Sequence, residues 1–121
     1  MGRVVHFELP ADDVRRAVGF YREVFGWQIE DPSGEEQYFL SATGSGSAPG
    51  INGAILPRTG PVTRLVATIQ VDALDQTLDR VKAGGGAVID GKRPIPGVGW
   101  HAYCEDCEGN VIGVLQPDPA A

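Results

Sequence analysis

Alternating apolar and polar residues open the chain and predict a half-buried β-strand from Val4 to Leu9, because successive side chains of a strand point to opposite faces. A helical pattern follows, with Asp12 as the expected N-cap and Gly26 as the expected stop. The apolar residues at helical spacing are Val14, Ala17, Val18, Tyr21, Val24 and Phe25. These positions predict a strand followed by an amphipathic helix.

The second half of the chain repeats this order. Leu65–Val71 alternates as a strand, Asp72 is the expected N-cap of a second helix, and the Gly84–Gly86 run ends it. A shift of 60 residues superposes Asp12 on Asp72, Gly26 on Gly86, Ile29 on Ile89, Ala42 on Ala102, Gly53 on Gly113 and Pro57 on Pro117. Caps, glycine stops and alternation therefore align together, which indicates an internal duplication.

Three further strands follow the helix in each half. They are predicted at Trp27–Asp31, Gln37–Thr43, Ile51–Leu56, Ala87–Asp90, Trp100–Glu105 and Val111–Gln116. The order βαβββ therefore occurs twice, which predicts an α+β fold. We expect one domain over residues 1–121, with a first module of residues 1–60 and a second of residues 61–121. The polar segment Thr43–Gly50 is either a mobile lid or a simple connector.

Composition narrows the classes of partner. A chain of 121 residues with a formal charge of −6 and a pI near 4.7 repels phosphate backbones, so we expect no nucleic-acid partner. It contains no apolar stretch long enough for a membrane helix and no secretory h-region at its start. We therefore expect a cytoplasmic protein without a membrane partner. Cys104 and Cys107 are too close in sequence to form a disulfide framework.

Two segments resemble the vicinal oxygen chelate superfamily, which includes glyoxalase I, bleomycin-resistance proteins and extradiol dioxygenases. The opening HFELPADDVRRAVGFYREVFGW is similar to its first strand and helix, and the closing YCEDCEGNVIGVLQPD is similar to its DPxGN turn and last strand. Cys107 replaces the usual proline. The resemblance implies a U-shaped mixed-sheet cup with the helices outside, and Arg93–Trp100 is expected to shape its mouth.

The resemblance also assigns four metal-ligand positions in the metal-dependent members. Here they are His6, Gly53, Val66 and Gly113, and only His6 has a donor side chain. A catalytic zinc generally keeps three protein ligands. We therefore expect no metal and no cofactor, and the chain resembles the metal-free binding members most. Zinc binding at His101, Cys104 and Cys107 is disfavoured because the sequence has no second CxxC or HxxxH motif. Thioredoxin-like redox chemistry is disfavoured because Cys107 falls in the turn before the last strand and does not open a helix.

Strand parity selects the side chains expected to face the cup. His6 and Glu8 share one face in the first module, and Thr68 lies on the matching face in the second. In dioxygenase members a functional tyrosine lies ten residues before the last metal ligand, a position that Tyr103 occupies by resemblance. The remaining candidate ligand-binding residues are His101, which has the parity of Tyr103, and Phe39 and Ser41 on the shifted strand. Ile51, Ile55, Val111 and Leu115 are expected to form an apolar floor.

Each candidate has an alternative role. His6 and Glu8 either contact a ligand, exchange a proton with it, or merely satisfy each other. Tyr103 is alternatively a buried tyrosine with one hydrogen bond, and His101 a partly exposed strand residue. We expect no catalytic residue in the leading hypothesis, a metal-independent protein that binds a small organic or aromatic ligand.

Other functional classes remain open. One is a glyoxalase- or dioxygenase-like enzyme, a lyase or isomerase that uses His6 and Glu8, and another is a partner-binding module with a vestigial cup. We also expect a homodimer, because Trp27, Trp100 and the sheet edges need cover.

Overall fold

The fold is taken from a computed structural model that describes residues 2–34 and 36–121. Over these residues the elements are β1 (Arg3–Ala11), α1 (Val14–Phe25), β2 (Gln28–Ile29), β3 (Phe39–Ala42), β4 (Asn52–Pro57), β5 (Val66–Gln70), α2 (Leu74–Ala83), β6 (Ala87–Ile95), β7 (Gly99–Glu105) and β8 (Val111–Pro117). The order βαβββ thus occurs twice, and the predicted α+β class with mixed strand pairing is confirmed. Neither helix in the described part of the chain is long and apolar enough to cross a membrane.

The chain divides into two compact units. The N-terminal unit comprises His6–Leu65, and the C-terminal unit comprises Val66–Ala121 together with the start of the chain up to Val5. In the N-terminal unit β1 pairs in parallel with β4, and β3 pairs antiparallel with both β4 and β2. In the C-terminal unit β5 pairs in parallel with β8, and β7 pairs antiparallel with both β8 and β6. Both units therefore carry a mixed sheet.

The core of the N-terminal unit lies between its sheet and α1. Its buried members are Ala11, Val14, Val18, Ile29, Phe39 and Ile55. Tyr21 and Trp27 pack against this core and stack on each other with ring centroids 4.6 Å apart. Val24 and Phe25, which the helical pattern placed on the buried stripe, are instead exposed, because the core contact of α1 ends at Tyr21.

The core of the C-terminal unit lies between its sheet and α2. Leu74, Ala102, Cys104 and Val114 are buried there. The glycine run ends α2 as predicted, with Gly84 as the C-cap. α1 likewise ends at Gly26, which adopts a left-handed conformation with φ 71° and donates its N–H to the Arg22 carbonyl, while the next residue, Trp27, donates its N–H to the Tyr21 carbonyl.

Both predicted N-caps are wrong by one residue. The side chain of Asp13, not Asp12, accepts a hydrogen bond from the backbone N–H of Arg16 at the start of α1. The N-cap of α2 is Ala73, not Asp72, and its side chain makes no capping bond. The side chain of Gln116 in β8 caps α2 instead. Its Oε1 accepts a hydrogen bond of 2.8 Å from the backbone N–H of Leu74.

Strand boundaries differ from the sequence prediction at two elements. β2 is shorter than Trp27–Asp31 and keeps only Gln28–Ile29. β6 extends to Ile95, so the Arg93–Trp100 segment forms the end of the β6–β7 hairpin. The register of β6 against β7 shifts between Val88 and Asp90 and again between Asp90 and Arg93. These irregularities break the alternation that would have marked β6 as one strand.

Candidate functional site

Three of the predicted site residues come together in the C-terminal unit. Thr68 and Tyr103 both pair with Gly113 across neighbouring strands, and His101 pairs with Leu115. Residues paired in this way share a face of the sheet, which is the face opposite to the Cys104 and Val114 core. Thr68, His101 and Tyr103 are each at most 5% exposed. The sheet therefore holds this polar cluster in surroundings from which water is largely excluded.

Two ring contacts order this cluster. The rings of His101 and Tyr103 meet edge to face with centroids 4.6 Å apart. The guanidinium carbon of Arg93 lies 5.1 Å from the centroid of the Tyr103 ring, within the range of a cation–π contact. Arg93 also pairs with Asp90 at 3.6 Å. The cluster thus presents an imidazole, a phenol ring and a cation together.

The absence of a side chain at Gly113 shapes the centre of the cluster. A Cβ built at this position would lie 2.9 Å from His101 Nε2 and 3.0 Å from Thr68 Oγ1. Such approaches are closer than ordinary van der Waals contact. Any side chain at position 113 would therefore have to displace the imidazole or the hydroxyl.

The N-terminal unit holds a second polar group around His6. Nε2 of His6 lies 2.8 Å from the hydroxyl of Tyr38, and the two rings stack with centroids 6.3 Å apart. Glu8 lies on the same strand face and is 4% exposed. Burial lowers the pKa of His6 below its usual 6.5, although the charge of Glu8 opposes this shift. His6 is therefore held as a neutral imidazole near pH 7.

Phe39 and Ser41 do not join His6, contrary to the sequence prediction. Phe39 is 1% exposed in the core against α1, where Arg15 lies over its ring at 5.4 Å. Ser41 has the same parity on β3, is buried, and donates its hydroxyl to the Phe39 carbonyl. Ile55, predicted as part of an apolar floor, pairs with Phe39 and lies in the same core. The prediction fails because the register of β4 against β1 differs from the register of β8 against β5.

That register difference is one residue. β1 pairs Phe7 with Gly53, whereas β5 pairs Thr68 with Gly113. The 60-residue shift equates Thr68 with Glu8, and Glu8 pairs with Ala54. Gly53 therefore shares the face of Phe7, whose ring carbon Cδ1 lies 2.5 Å from where a Cβ of residue 53 would be. The aromatic ring of Phe7 occupies the space that the glycine leaves.

Comparison with known proteins identifies the family. The model of the bleomycin resistance protein-like N-terminal domain matches residues 3–38. A protein of Vibrio parahaemolyticus named "Probable lactoylglutathione lyase" is 30% identical over 99% of this chain and 94% of its own length. The chain belongs to the glyoxalase/bleomycin resistance/dioxygenase superfamily. This is the vicinal oxygen chelate superfamily that the two sequence segments resemble.

Two solved structures share the fold of this chain. A methylmalonyl-CoA epimerase from Mycobacterium tuberculosis superposes with a TM-score of 0.67 at 18% identity, covering 96% of this chain and 88% of the epimerase. A superfamily member from Vibrio splendidus superposes with the same TM-score at 14% identity, covering 98% of this chain and 100% of that one. Members of the superfamily bind small-molecule ligands.

The metal of the metal-dependent superfamily members does not fit the side chains of this chain. Two of the four ligand positions implied by the resemblance are glycines. Gly53 faces the Phe7 ring, and Gly113 is packed against His101 and Thr68. Over residues 2–34 and 36–121, no three His, Cys, Asp or Glu side chains lie close enough together to hold a metal ion. Cys104 is buried in the core, where burial raises the pKa of its thiol, whereas Cys107 is exposed. The two cysteines thus occupy different environments.

Sequence reasoning missed two residues of these clusters. Tyr38 lies in the predicted strand Gln37–Thr43, but on the face opposite to the candidates Phe39 and Ser41. Arg93 lies beyond two register shifts in β6, which hide its parity. A cavity of about 550 Å³ adjoins Tyr38 and is lined also by Glu30, Asp31, Pro32, Ser33, Gly34, Glu36 and Leu40. Tyr38 therefore contacts His6 and also lines a cavity of the N-terminal unit.

Proposed function

We propose that this member of the superfamily is a metal-independent protein that binds a small planar or aromatic molecule. The observation that carries the proposal is the packing of Gly113 against His101 and Thr68. At a position where metal-dependent members place a ligand, this chain has no donor, and the space for one is already filled. A cytoplasmic location and a homodimeric state are further parts of the proposal.

The chemistry of the polar clusters supports such a ligand. Tyr103 supplies a ring face, His101 supplies a ring nitrogen, and Arg93 supplies a cation beside them. A few convergent polar groups beside an aromatic ring are typical of small-molecule sites. His6 and Glu8 are proposed as ligand contacts of the N-terminal unit, now together with Tyr38. Phe39 and Ser41 are not part of the proposal, because they lie in the core with α1 and its sheet.

Elemental analysis of protein purified without chelators tests the metal-independent part. We expect zinc, nickel, manganese and iron well below one equivalent, and the same residual amount in His6→Ala. One equivalent of metal that disappears in His6→Ala would overturn the proposal. His101→Ala is the matched variant in the C-terminal unit, and it reports whether any bound metal depends on that cluster instead.

A thermal-shift screen against small planar and aromatic metabolites tests the binding part. Hits are compared on wild type, Tyr103→Phe, which removes only the hydroxyl, and Tyr103→Ala, which removes the ring. We expect affinity to fall about ten-fold or more in Tyr103→Ala, consistent with loss of an aromatic contact. Tyr21→Phe, in the core of the N-terminal unit, is the control. Hits that bind Tyr103→Ala as tightly as wild type would refute this site.

A second candidate function is a lyase or isomerase in which His6 acts as a base. The favouring observation is the neutral, half-buried imidazole held 2.8 Å from the Tyr38 hydroxyl, with Glu8 on the same face. Such a base removes a proton from a carbon next to a carbonyl, and the similar proteins include one named as a lyase and one named as an epimerase.

Deuterium exchange distinguishes this candidate from simple binding. Wild type is incubated in heavy water with a panel of ketones and thioesters, and NMR follows exchange next to the carbonyl. The enzyme hypothesis predicts exchange that is lost in His6→Ala and whose pH profile moves in Tyr38→Phe. Tight binding with no exchange across the panel would leave only the binding function.

A further inference from the structure

The helix α1 exposes large apolar side chains that its own core does not use. Phe20, Val24 and Phe25 are 53%, 55% and 61% exposed. The corresponding positions of α2 after the 60-residue shift are Arg80, Gly84 and Gly85. The two helices pack on similar sheets, so this apolar surface is not a requirement of the βαβββ fold.

The exposed side chains form one patch. The ring of Phe20 contacts that of Tyr21 edge to face at 5.2 Å and that of Phe25 at 6.2 Å between centroids. The half-exposed side chains of Phe20, Val24 and Phe25 together leave roughly 300 Å² of apolar surface in contact with water. A contiguous apolar patch of that area on a protein surface commonly marks an interaction site.

Two opposite charges flank Phe20 along the helix axis. Arg16 precedes Phe20 by four residues and Glu23 follows it by three, so both lie on the same side of the helix as Phe20. Both are exposed. Within the described ranges 2–34 and 36–121, neither charge takes part in an ion pair. Gly19, beside them, has no atom within 4 Å of a Cβ built on it, so another helix can approach closely.

This order of charges is complementary to itself when reversed. If a second α1 lies antiparallel with Phe20 against Phe20, Arg16 faces the partner's Glu23 and Glu23 faces the partner's Arg16. A two-fold interface always brings the same patch of both copies together in this way. An anionic membrane surface is a poor occupant of the patch because the chain carries a net charge of −6.

We infer that α1 is a self-association surface, on which a second copy of the chain packs its own α1 antiparallel around Phe20. The inference rests on the homodimeric state in the proposed function and names its interface. A stable dimer buries about 800 Å² on each partner. The two Phe20 rings form the centre of that area, and the other exposed apolar and charged side chains of α1 surround them.

Light scattering coupled to size-exclusion chromatography tests the surface. We expect wild type at twice the chain mass of 12.8 kDa and Phe20→Glu at the mass of one chain. Val98→Glu is the matched control, because Val98 is also about half exposed but lies in the β6–β7 hairpin, and we expect it to stay dimeric. Circular dichroism of each variant verifies that it is folded.

Charge reversal tests the antiparallel arrangement. Arg16→Glu and Glu23→Arg each place like charges together twice per dimer, so each variant alone is expected to dissociate about ten-fold more readily. A mixture of the two variants restores both pairs and is expected to form the heterodimer. The double variant R16E/E23R is expected to pair like wild type.

The outcomes separate the interface from the oligomeric state. A wild type that stays monomeric up to high micromolar concentration overturns both the homodimer and this surface. A wild-type dimer that Phe20→Glu leaves intact overturns the surface while the homodimer stands. Loss of pairing in Phe20→Glu without rescue in the charge-reversed mixture overturns the antiparallel geometry.

Discussion

Replacing Gly113 by alanine is expected to destabilise the C-terminal unit, although alanine is usually the better strand residue. The new methyl carbon would lie 2.9 Å from His101 Nε2 and 3.0 Å from Thr68 Oγ1. Both atoms belong to side chains that are almost fully buried, so neither is free to rotate into water. The clash must be relieved by moving the imidazole or the strand.

Two opposing contributions set the size of the effect. Alanine loses less backbone entropy on folding than glycine, which favours the variant by about 0.5–1 kcal/mol. Forcing an extra methyl group into a packed site costs typically about 1–3 kcal/mol. The net expectation is a loss of about 0.5–2 kcal/mol in the free energy of unfolding, or a decrease in Tm of roughly 4 °C per kcal/mol.

Urea denaturation of matched variants measures this difference. Gly91→Ala is the control, because Gly91 also lies in a strand of the C-terminal unit but has no atom within 4 Å of its built Cβ. We expect it to be neutral or stabilising. The double variant Gly113→Ala/Thr68→Ala lacks one of the two clashes. Its loss in the free energy of unfolding should therefore be smaller than the sum of the two single losses by about 0.5–2 kcal/mol. A neutral Gly113→Ala, or strict additivity with Thr68→Ala, would refute the packing argument.

Three further predictions concern pH, capping and surface charge. The pKa of His6 is below 6.5 in the folded state, so the unfolded chain binds the proton more tightly. The free energy of unfolding should therefore fall as the pH falls below about 6.5. In urea titrations from about pH 8 to about pH 5.5, His6→Asn should remove this part of the pH dependence of stability. An unchanged pH dependence in that variant contradicts the prediction. Gln116→Met should cost about 1 kcal/mol in urea denaturation, because Leu74 N–H loses its acceptor; no loss would exclude this capping role. Arg58→Ala should cost less than about 1 kcal/mol, and less at high salt, because its ion pair with Asp12 is exposed; a larger, salt-independent cost would contradict it.

Sequence periodicity was sufficient for the order of elements. Both helices were predicted because apolar spacing and terminal glycines act locally, and Gly26 and Gly84 do end them. The N-caps were missed by one residue because Asp12 and Asp13 are equally good caps in isolation. In the folded chain Asp13 accepts the Arg16 N–H, whereas Asp12 pairs with Arg58, which is distant in sequence.

The candidate site was predicted less completely, because it depends on which residues of different strands lie opposite each other. Parity within a strand correctly grouped Thr68, His101 and Tyr103 with Gly113. It fails for Phe39, because β4 pairs with β1 in a register that differs by one residue from that of β8 with β5. Register is set by packing across strands, here by the fit of the Phe7 ring against Gly53, and a pattern within one strand does not contain it.

The one-residue difference in register has a consequence for metal chemistry in the N-terminal unit. His6 and Glu8 pair with Asn52 and Ala54 across β1 and β4, so these four positions share a face. Gly53, the position that the superfamily resemblance assigns to a metal ligand, points to the opposite face, where Phe7 packs. A carboxylate at position 53 would therefore be directed into the apolar core rather than toward His6. Position 53 is thus unsuited to a metal ligand for two reasons, the missing donor and the orientation of the strand that would carry it, and a substitution that restores only the donor does not place it beside His6.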